Sequence, residues 1–127
     1  MNAQISSRNV EQFPVFRECD SLTSKSLETC FYSQVQDFIF NNFKVPESLV
    51  KKDYKGSSIV LFEVDEQGKF NVLYVDAIDD ALVQESKRVF GLFPTVKPPT
   101  YAGKPTYAKY TIKIAIPLKS AAQLAAE

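Results

Sequence analysis

The sequence predicts one α+β domain within its 127 residues, a three-stranded antiparallel sheet with two long helices packed on one face. Apolar residues recur at helical spacing over 25–43 and again over 80–92, which predicts two amphipathic helices. Three other stretches, 57–64, 70–78 and 106–118, have the apolar content or alternation of β-strands. A chain of this length can bury a core without metals or many disulfides.

The N-terminal part is predicted to begin with a flexible lead-in over residues 1–12, which are polar and aperiodic. The domain proper is expected to cover 13–118. In the motif FPVF, Pro14 favours an extended Phe13. The first long helix follows, and Pro46 is expected to start a short second helix, since proline suits a first helical position. The apolar stripe of the first helix is Leu27, Cys30, Phe31, Val35, Phe38, Ile39 and Phe43.

The middle of the chain predicts a β-hairpin followed by the second long helix. DEQGK (65–69) separates two strand-like stretches, and Gly68 can adopt the positive φ that a tight turn requires. Asp79 or Asp80 is expected to cap the next helix, which Pro94 ends.

The last strand, 106–118, is predicted to lie at an edge of the sheet. A strand–helix–strand crossover favours parallel placement of its two strands. The third strand satisfies this by pairing antiparallel with the first, which gives the order 2-1-3. The last strand then has one neighbour within the chain. Residues 119–127 are expected to be a tail or the start of a further segment.

The composition excludes several kinds of active site. The chain contains no His, two Cys and four scattered Gly, which argues against His-based catalysis, a zinc site and a phosphate-binding loop. Carboxylate pairs remain the catalytic device that the composition permits. We expect no enzyme activity, no cofactor and no metal. The apolar stretches are too short to cross a bilayer.

The charge is distributed unevenly along a chain that is neutral overall. Residues 1–86 contain eight Lys or Arg against fourteen Asp or Glu, a net charge of −6, whereas residues 87–119 contain seven basic residues and no acid. The basic stretch is either an ordinary solvated face or a surface that attracts an acidic partner. Nucleic acid is not an expected partner, because the stretch has no Arg-rich or recognised nucleic-acid motif.

Cys19 and Cys30 are candidates for a disulfide that ties the N-terminal segment to the first helix. The alternative is two buried thiols that only pack. Sequence separation does not decide between the two.

Three segments together resemble a known family. VLFEVDEQGKF, DDALVQESKRVFGLFPTVKP and GKPTYAKYTIKI resemble the C-terminal domain of TonB, the energy transducer of Gram-negative bacteria. The resemblance runs from about Phe13 to Leu118. Its strongest pieces are Glu85, Arg88, Val89, Leu92, Phe93 and Pro94, then Lys97 and Pro98, and then Gly103, Lys104 and Pro105 before Lys109, Tyr110 and Thr111. The two Cys and the FPVF motif are similar to a cysteine-containing subgroup of that family.

The resemblance implies a TonB C-terminal-like fold and a periplasmic domain that docks outer-membrane TonB-dependent transporters. In the family, the last strand receives a transporter segment, the TonB box, as an added β-strand. The docking strand here corresponds to 106–116. The implied partner-binding residues are Tyr107, Lys109, Thr111, Lys113 and Ala115.

A secondary contact is implied at Val45 and Pro46, which correspond to a Tyr-Pro stretch of the family. Val45 replaces the usual aromatic residue, and Val96 replaces a Trp. Inner-membrane motor proteins are implied partners only through N-terminal segments that this sequence does not contain, and a full-length form is expected to be anchored to the inner membrane.

Three other functions are considered. The chain is alternatively an envelope scaffold or stand-alone module that binds peptidoglycan or another envelope protein without transmitting force. The same strand edge can also pair with itself in a homodimer. A small-molecule site built from the ten Phe and six Tyr is not favoured, because their spacing is typical of a core.

Overall fold

A computed structural model of the chain describes residues 4–5 and 11–127. Helices and strands are interspersed along the chain, with a 3₁₀ turn at Arg17–Cys19. The helices are α1 (Ser24–Asn42), α2 (Glu47–Lys51), α3 (Asp80–Phe90) and α4 (Ala121–Ala125). The strands are β1 (Gln4–Ile5), β2 (Gly56–Val64), β3 (Phe70–Asp76), β4 (Thr100–Tyr101), β5 (Lys104–Pro105) and β6 (Ala108–Ile116).

The main sheet is antiparallel throughout and has the strand order β1-β6-β2-β3. The three long strands confirm the predicted α+β class and the predicted order, because β2 is central with β3 and β6 on either side. The predicted ends of the long helices and strands agree with the structure to within two residues. Strands β4 and β5 form a separate small hairpin.

The last strand differs from the prediction in having a second neighbour. β1 pairs with β6 in a register that places Gln4 opposite Thr111 and Ile5 opposite Tyr110. The expectation of a single neighbour within the chain was therefore wrong at these two residues of β6. It failed because a two-residue strand has no periodicity that a sequence pattern can detect. The rest of the predicted lead-in up to residue 10 lies outside the described residues.

The core lies between the sheet and the two long helices, which pack on one face as predicted. Phe62 of β2 and Tyr110 of β6 are opposite each other on that face. The ring centroid of Phe31 in α1 lies 5.0 Å from that of Tyr110, and Phe90 in α3 lies 4.9 Å from Phe62. Burying large aromatic side chains contributes strongly to folding, through removal of apolar area from water and specific ring contacts.

Turns and caps hold this arrangement in register. Asp79 caps α3 by accepting a hydrogen bond from the Ala81 amide at 2.7 Å. Gly68 has a φ of +80° in the hairpin loop, and a Cβ atom there would collide with the carbonyl oxygen of Val96. Glycine is therefore required both by backbone conformation and by close approach of a second segment.

The Arg17–Cys19 turn and the C-terminal residues are both attached to α1. A disulfide joins Cys19 to Cys30, whose Cα atoms are 5.9 Å apart. At the other end, the Ala121 amide donates to the Asp37 carboxylate at 2.8 Å, and the Gln36 side chain donates to the Lys119 carbonyl at 2.8 Å. The C-terminal residues thus form a short helix docked on α1.

Within the described residues, no helix has both the length and the apolar character needed to cross a bilayer.

Candidate functional site

The predicted partner-binding residues share the face of β6 that points away from the helices. Tyr107, just before the strand, is 47% exposed. Within β6, burial alternates strictly, so that Lys113 is exposed and Lys109, Thr111 and Ala115 are half-buried. The intervening residues are buried against the helices: Ala108, Tyr110, Ile112, Ile114 and Ile116.

The neighbouring strand gives the two lysines of β6 different surroundings. Lys109 lies directly opposite Glu63 of β2, whereas Lys113 lies opposite Ile59. Opposite charges on directly paired positions of a sheet attract each other. Lys109 therefore has an acidic neighbour within its own sheet, and Lys113 is the lysine better placed for a partner.

The outer edge of β6 is the edge that does not pair with β2. Beside Tyr110 and Thr111 it is covered by β1. In the described residues, no strand pairs with this edge over 112–116. Backbone N–H and C=O groups on such an edge can pair with an added extended chain. The geometry of this edge accepts a strand, since β1 is bound there.

A cleft of about 340 Å³ lies beside β6. Its lining comes from α1, β6 and the C-terminal residues, and includes Gln36, Lys113, Ala115 and Lys119. No residue of β2 lines it, so the cleft is on the outer side of β6. The Lys119 ammonium makes an ion pair with Glu127 there. An extended chain on the outer edge of β6 would thus pass over a cleft that contains two lysines.

Val45 lies close to the C-terminal end of β6. An apolar depression of about 180 Å³ is lined by Val45, Leu49 and Tyr54 together with Ile116 and Pro117. The structure therefore brings one of the two predicted secondary-contact residues next to the end of the predicted docking strand. Pro46 is the N-cap residue of α2 and is half-buried.

The segment before α2 is fixed by Glu85 and Arg88. Glu85 accepts a hydrogen bond from the Lys44 amide at 2.7 Å, and the Arg88 guanidinium donates to the Asn42 carbonyl at 2.8 Å. The two side chains also form an ion pair with each other. The bond from Arg88 lowers the pKa of the Glu85 carboxyl, with a further contribution from the Lys44 amide. This pair holds the chain around Val45 in place.

The basic stretch of the sequence does not form one continuous surface. Lys97 pairs with Asp20 at 2.9 Å, Arg88 with Glu85, and Lys119 with Glu127. The carboxylates of the acidic segment and of the C-terminus thus neutralise several of these positive charges locally. Among the exposed residues of this basic stretch, Lys113 lies nearest the outer edge of β6, beside the cleft.

Tyr110 has an unusual buried hydroxyl. It has no hydrogen-bond partner among the described residues, and rings of Phe13, Phe31, Tyr32 and Phe62 surround it. Burial raises the pKa of Tyr110, with the nearby Tyr32 and Glu28 adding to the effect. The backbone of this residue faces the candidate site, and its side chain belongs to the core.

Sequence reasoning missed β1 and the cleft. Gln4 and Ile5 carry no strand signal, because they are two residues in a polar segment. The C-terminal helix did have a signal: Ser120 and Gln123 form a reciprocal capping box, the S-x-x-Q pattern of a helix start. Gln36 is the polar member of the otherwise mostly apolar buried face of α1, and nothing in its spacing indicates that it lines a cleft.

Comparisons of the chain with protein-family models, with curated proteins and with solved structures found no match.

Proposed function

We propose that this chain is a protein-binding domain that takes up an extended peptide as an additional strand on the outer edge of β6. The observation that carries the proposal is the pairing of Gln4–Ile5 with Tyr110 and Thr111. An extended segment is already bound at this edge in antiparallel register. Another extended chain can make the same backbone hydrogen bonds.

The other edge of the sheet is a poorer acceptor. β3 pairs with β2, but the register of this pairing shifts between Leu61 and Phe62. Such irregularities increase strand twist and disfavour edge pairing. Asn71 of β3 is also held by a hydrogen bond of 2.9 Å to Asp65 in the hairpin loop. These features favour β6 as the binding edge.

Backbone pairing is nearly independent of sequence, so selectivity has to come from side chains near the edge. Lys113 beside the adjacent cleft favours a peptide that carries an acidic residue, whereas Lys119 in that cleft is already paired with Glu127. An exposed ion pair contributes under about 1 kcal/mol and acts more on the rate of encounter than on affinity. The depression beside Val45 offers a place for an apolar side chain where β6 ends.

The resemblance to the TonB C-terminal domain suggests which peptide is bound. On this proposal the partner is the N-terminal segment of an outer-membrane transporter, and the domain works in the periplasm as part of a longer, inner-membrane-anchored transducer. Many backbone bonds loaded together resist shear, which suits a connection through which force is transmitted. The proposal includes no enzymatic step and no cofactor.

The test is binding of synthetic peptides from the N-termini of outer-membrane transporters, measured by fluorescence anisotropy. For a peptide that binds, two analogues are prepared with N-methyl groups on alternate residues. In a strand, alternate amides point to opposite sides, so one analogue should lose binding at least tenfold and the other should retain it. Equal affinities for the two analogues would exclude strand addition.

A second candidate function is self-association through the same edge. Self-association is favoured because, in the part of the chain that the structure describes, no second strand lies beside residues 112–116. Two β6 edges that pair would give a symmetric dimer. Sedimentation velocity from about 5 to 500 μM, a range chosen to span weak dimerisation, should then show a concentration-dependent increase in mass. A constant monomer mass would contradict dimerisation.

A further inference from the structure

We propose that the N-terminal segment containing Gln4–Ile5 is a built-in competitor for the binding edge of β6, so that an incoming peptide has to displace it. The proposal concerns regulation of the edge described above, and its relevance to transporters rests on the proposed function. Binding of the segment itself is a property of this chain alone and can be tested without any partner.

Overlap of the two binding modes is direct. β1 pairs with Tyr110 and Thr111, which lie within the predicted docking strand 106–116. One edge of a strand offers one set of backbone donors and acceptors, so two chains cannot pair with the same residues there at the same time. A peptide that pairs with Thr111 or Tyr110 as well as with residues 112–116 therefore requires β1 to leave.

The segment is tethered close to this edge. Among the described residues, the next backbone contacts after Ile5 are made by Glu11 and Gln12, whose amides donate to the Thr100 carbonyl at 2.8 and 3.2 Å. A short tether of this kind gives an effective concentration of about 1 mM or higher. A displaced segment thus remains available to rebind.

The attachment of β1 is weak enough to be exchanged. Two residues pair with β6, and after the entropy lost in ordering the segment this pairing contributes about 1 kcal/mol net in total. The edge is then open in a fraction of molecules on the order of 10 to 30%. The apparent Kd of an external peptide equals its intrinsic Kd divided by this fraction, so the segment weakens binding about threefold to tenfold.

The experiment compares the full chain with the variant Gln4→Pro/Ile5→Pro and the matched control Gln4→Ala/Ile5→Ala. Proline removes the two backbone donors of β1, whereas alanine keeps them. The probe is a labelled synthetic peptide of residues 1–10, MNAQISSRNV. We expect the proline variant to bind it about threefold to tenfold more tightly than the unmodified chain, and the alanine control to fall near the unmodified chain.

A second measurement does not depend on the probe. Amide hydrogen exchange at Tyr110 and Thr111 is followed in all three proteins. The amide that faces β1 should exchange faster in the proline variant, while amides of β3 stay unchanged. Any one of three results would overturn the proposal. The first is equal probe affinity in the unmodified and proline proteins, the second is no probe binding to the proline variant, and the third is unchanged exchange at both residues.

Transporter peptides separate this inference from the proposed function. If they bind β6 with the same affinity in the unmodified and proline proteins, the edge is a docking site but the segment does not compete. If the residue 1–10 peptide gains affinity and no transporter peptide binds, the competitor exists and the proposed partner is wrong.

Discussion

Tyr110 connects the core to the candidate site within one residue. Its ring is fully buried among aromatic side chains, and its backbone lies opposite Ile5 of β1. The sequence predicted a strand over 106–118, and burial alternates along β6 as a strand requires. The pattern could not predict that the Tyr110 hydroxyl has no hydrogen-bond partner among the described residues, or that Lys109 lies opposite Glu63, because both depend on what other segments bring close.

Replacing Tyr110 with Phe should stabilise the protein at neutral pH. A buried hydroxyl without a partner costs about 1 to 3 kcal/mol relative to a bonded one, so we expect the free energy of unfolding to rise by about 1 kcal/mol. Urea denaturation measures this. A loss of stability of more than about 1 kcal/mol would mean that the hydroxyl is hydrogen-bonded.

The pH dependence of stability should also change in Tyr110→Phe. Burial raises the pKa of Tyr110 and raises that of Tyr32 to about 12, whereas both titrate near 10 when unfolded. The folded state keeps these protons longer, so stability is intact below about pH 10 and falls as the pH rises above it. Removing the Tyr110 hydroxyl should flatten this fall by about 1.4 kcal/mol per pH unit. An unchanged slope would contradict the assignment.

Glu85→Gln should destabilise the protein by about 1 to 2 kcal/mol at pH 7, because charge-assisted bonds to Arg88 and the Lys44 amide are weakened. The pKa of Glu85 is lowered, so its contribution is present above the usual Glu range and is lost as the pH falls through the folded-state pKa. The difference from the unmodified protein should therefore shrink in acid. Glu66→Gln, at an exposed loop position, is the control. A similar loss of stability in that variant would show that the effect is not specific to the contacts of Glu85.

At the scale of elements, the length of each helix or strand determined whether it could be predicted from the sequence. The long helices and strands have enough periods for the apolar pattern to be clear, and Gly68 and Asp79 mark their turns as expected. β1 has two residues and α4 has five, too few for periodicity. Their positions are set by pairing with β6 and by contacts to Gln36 and Asp37, which are tertiary in origin.

The disulfide between Cys19 and Cys30 holds the N-terminal turn on α1. The two residues are 11 apart in sequence, and closing a loop of this size stabilises a protein by about 3 kcal/mol through the unfolded state. Cys19→Ala/Cys30→Ala should lower the free energy of unfolding by about 2 to 4 kcal/mol. Adding a thiol reductant should destabilise the unmodified chain similarly and leave the double variant unaffected. Reductant sensitivity in the double variant would contradict this account.

At the scale of the whole molecule, the sheet has two edges with different properties. β3 is irregular against β2, whereas β6 is regular and already accepts β1. The order of the three long strands follows from chain order and crossover handedness, so the sequence could predict that the last strand lies near an edge. It could not predict partial occupation of that edge by the chain itself, because pairing between distant short segments leaves no local pattern.

The most direct test of strand addition on β6 is an NMR titration of the ¹⁵N-labelled chain with N-terminal peptides of outer-membrane transporters. Strand addition on β6 predicts amide shifts concentrated at 108–116, with additional shifts at Gln4, Ile5 and Gln36. Amides of β3, at the opposite edge, serve as the internal control and should stay unchanged. Shifts along β3 with β6 silent, or no response to any transporter peptide, would contradict it.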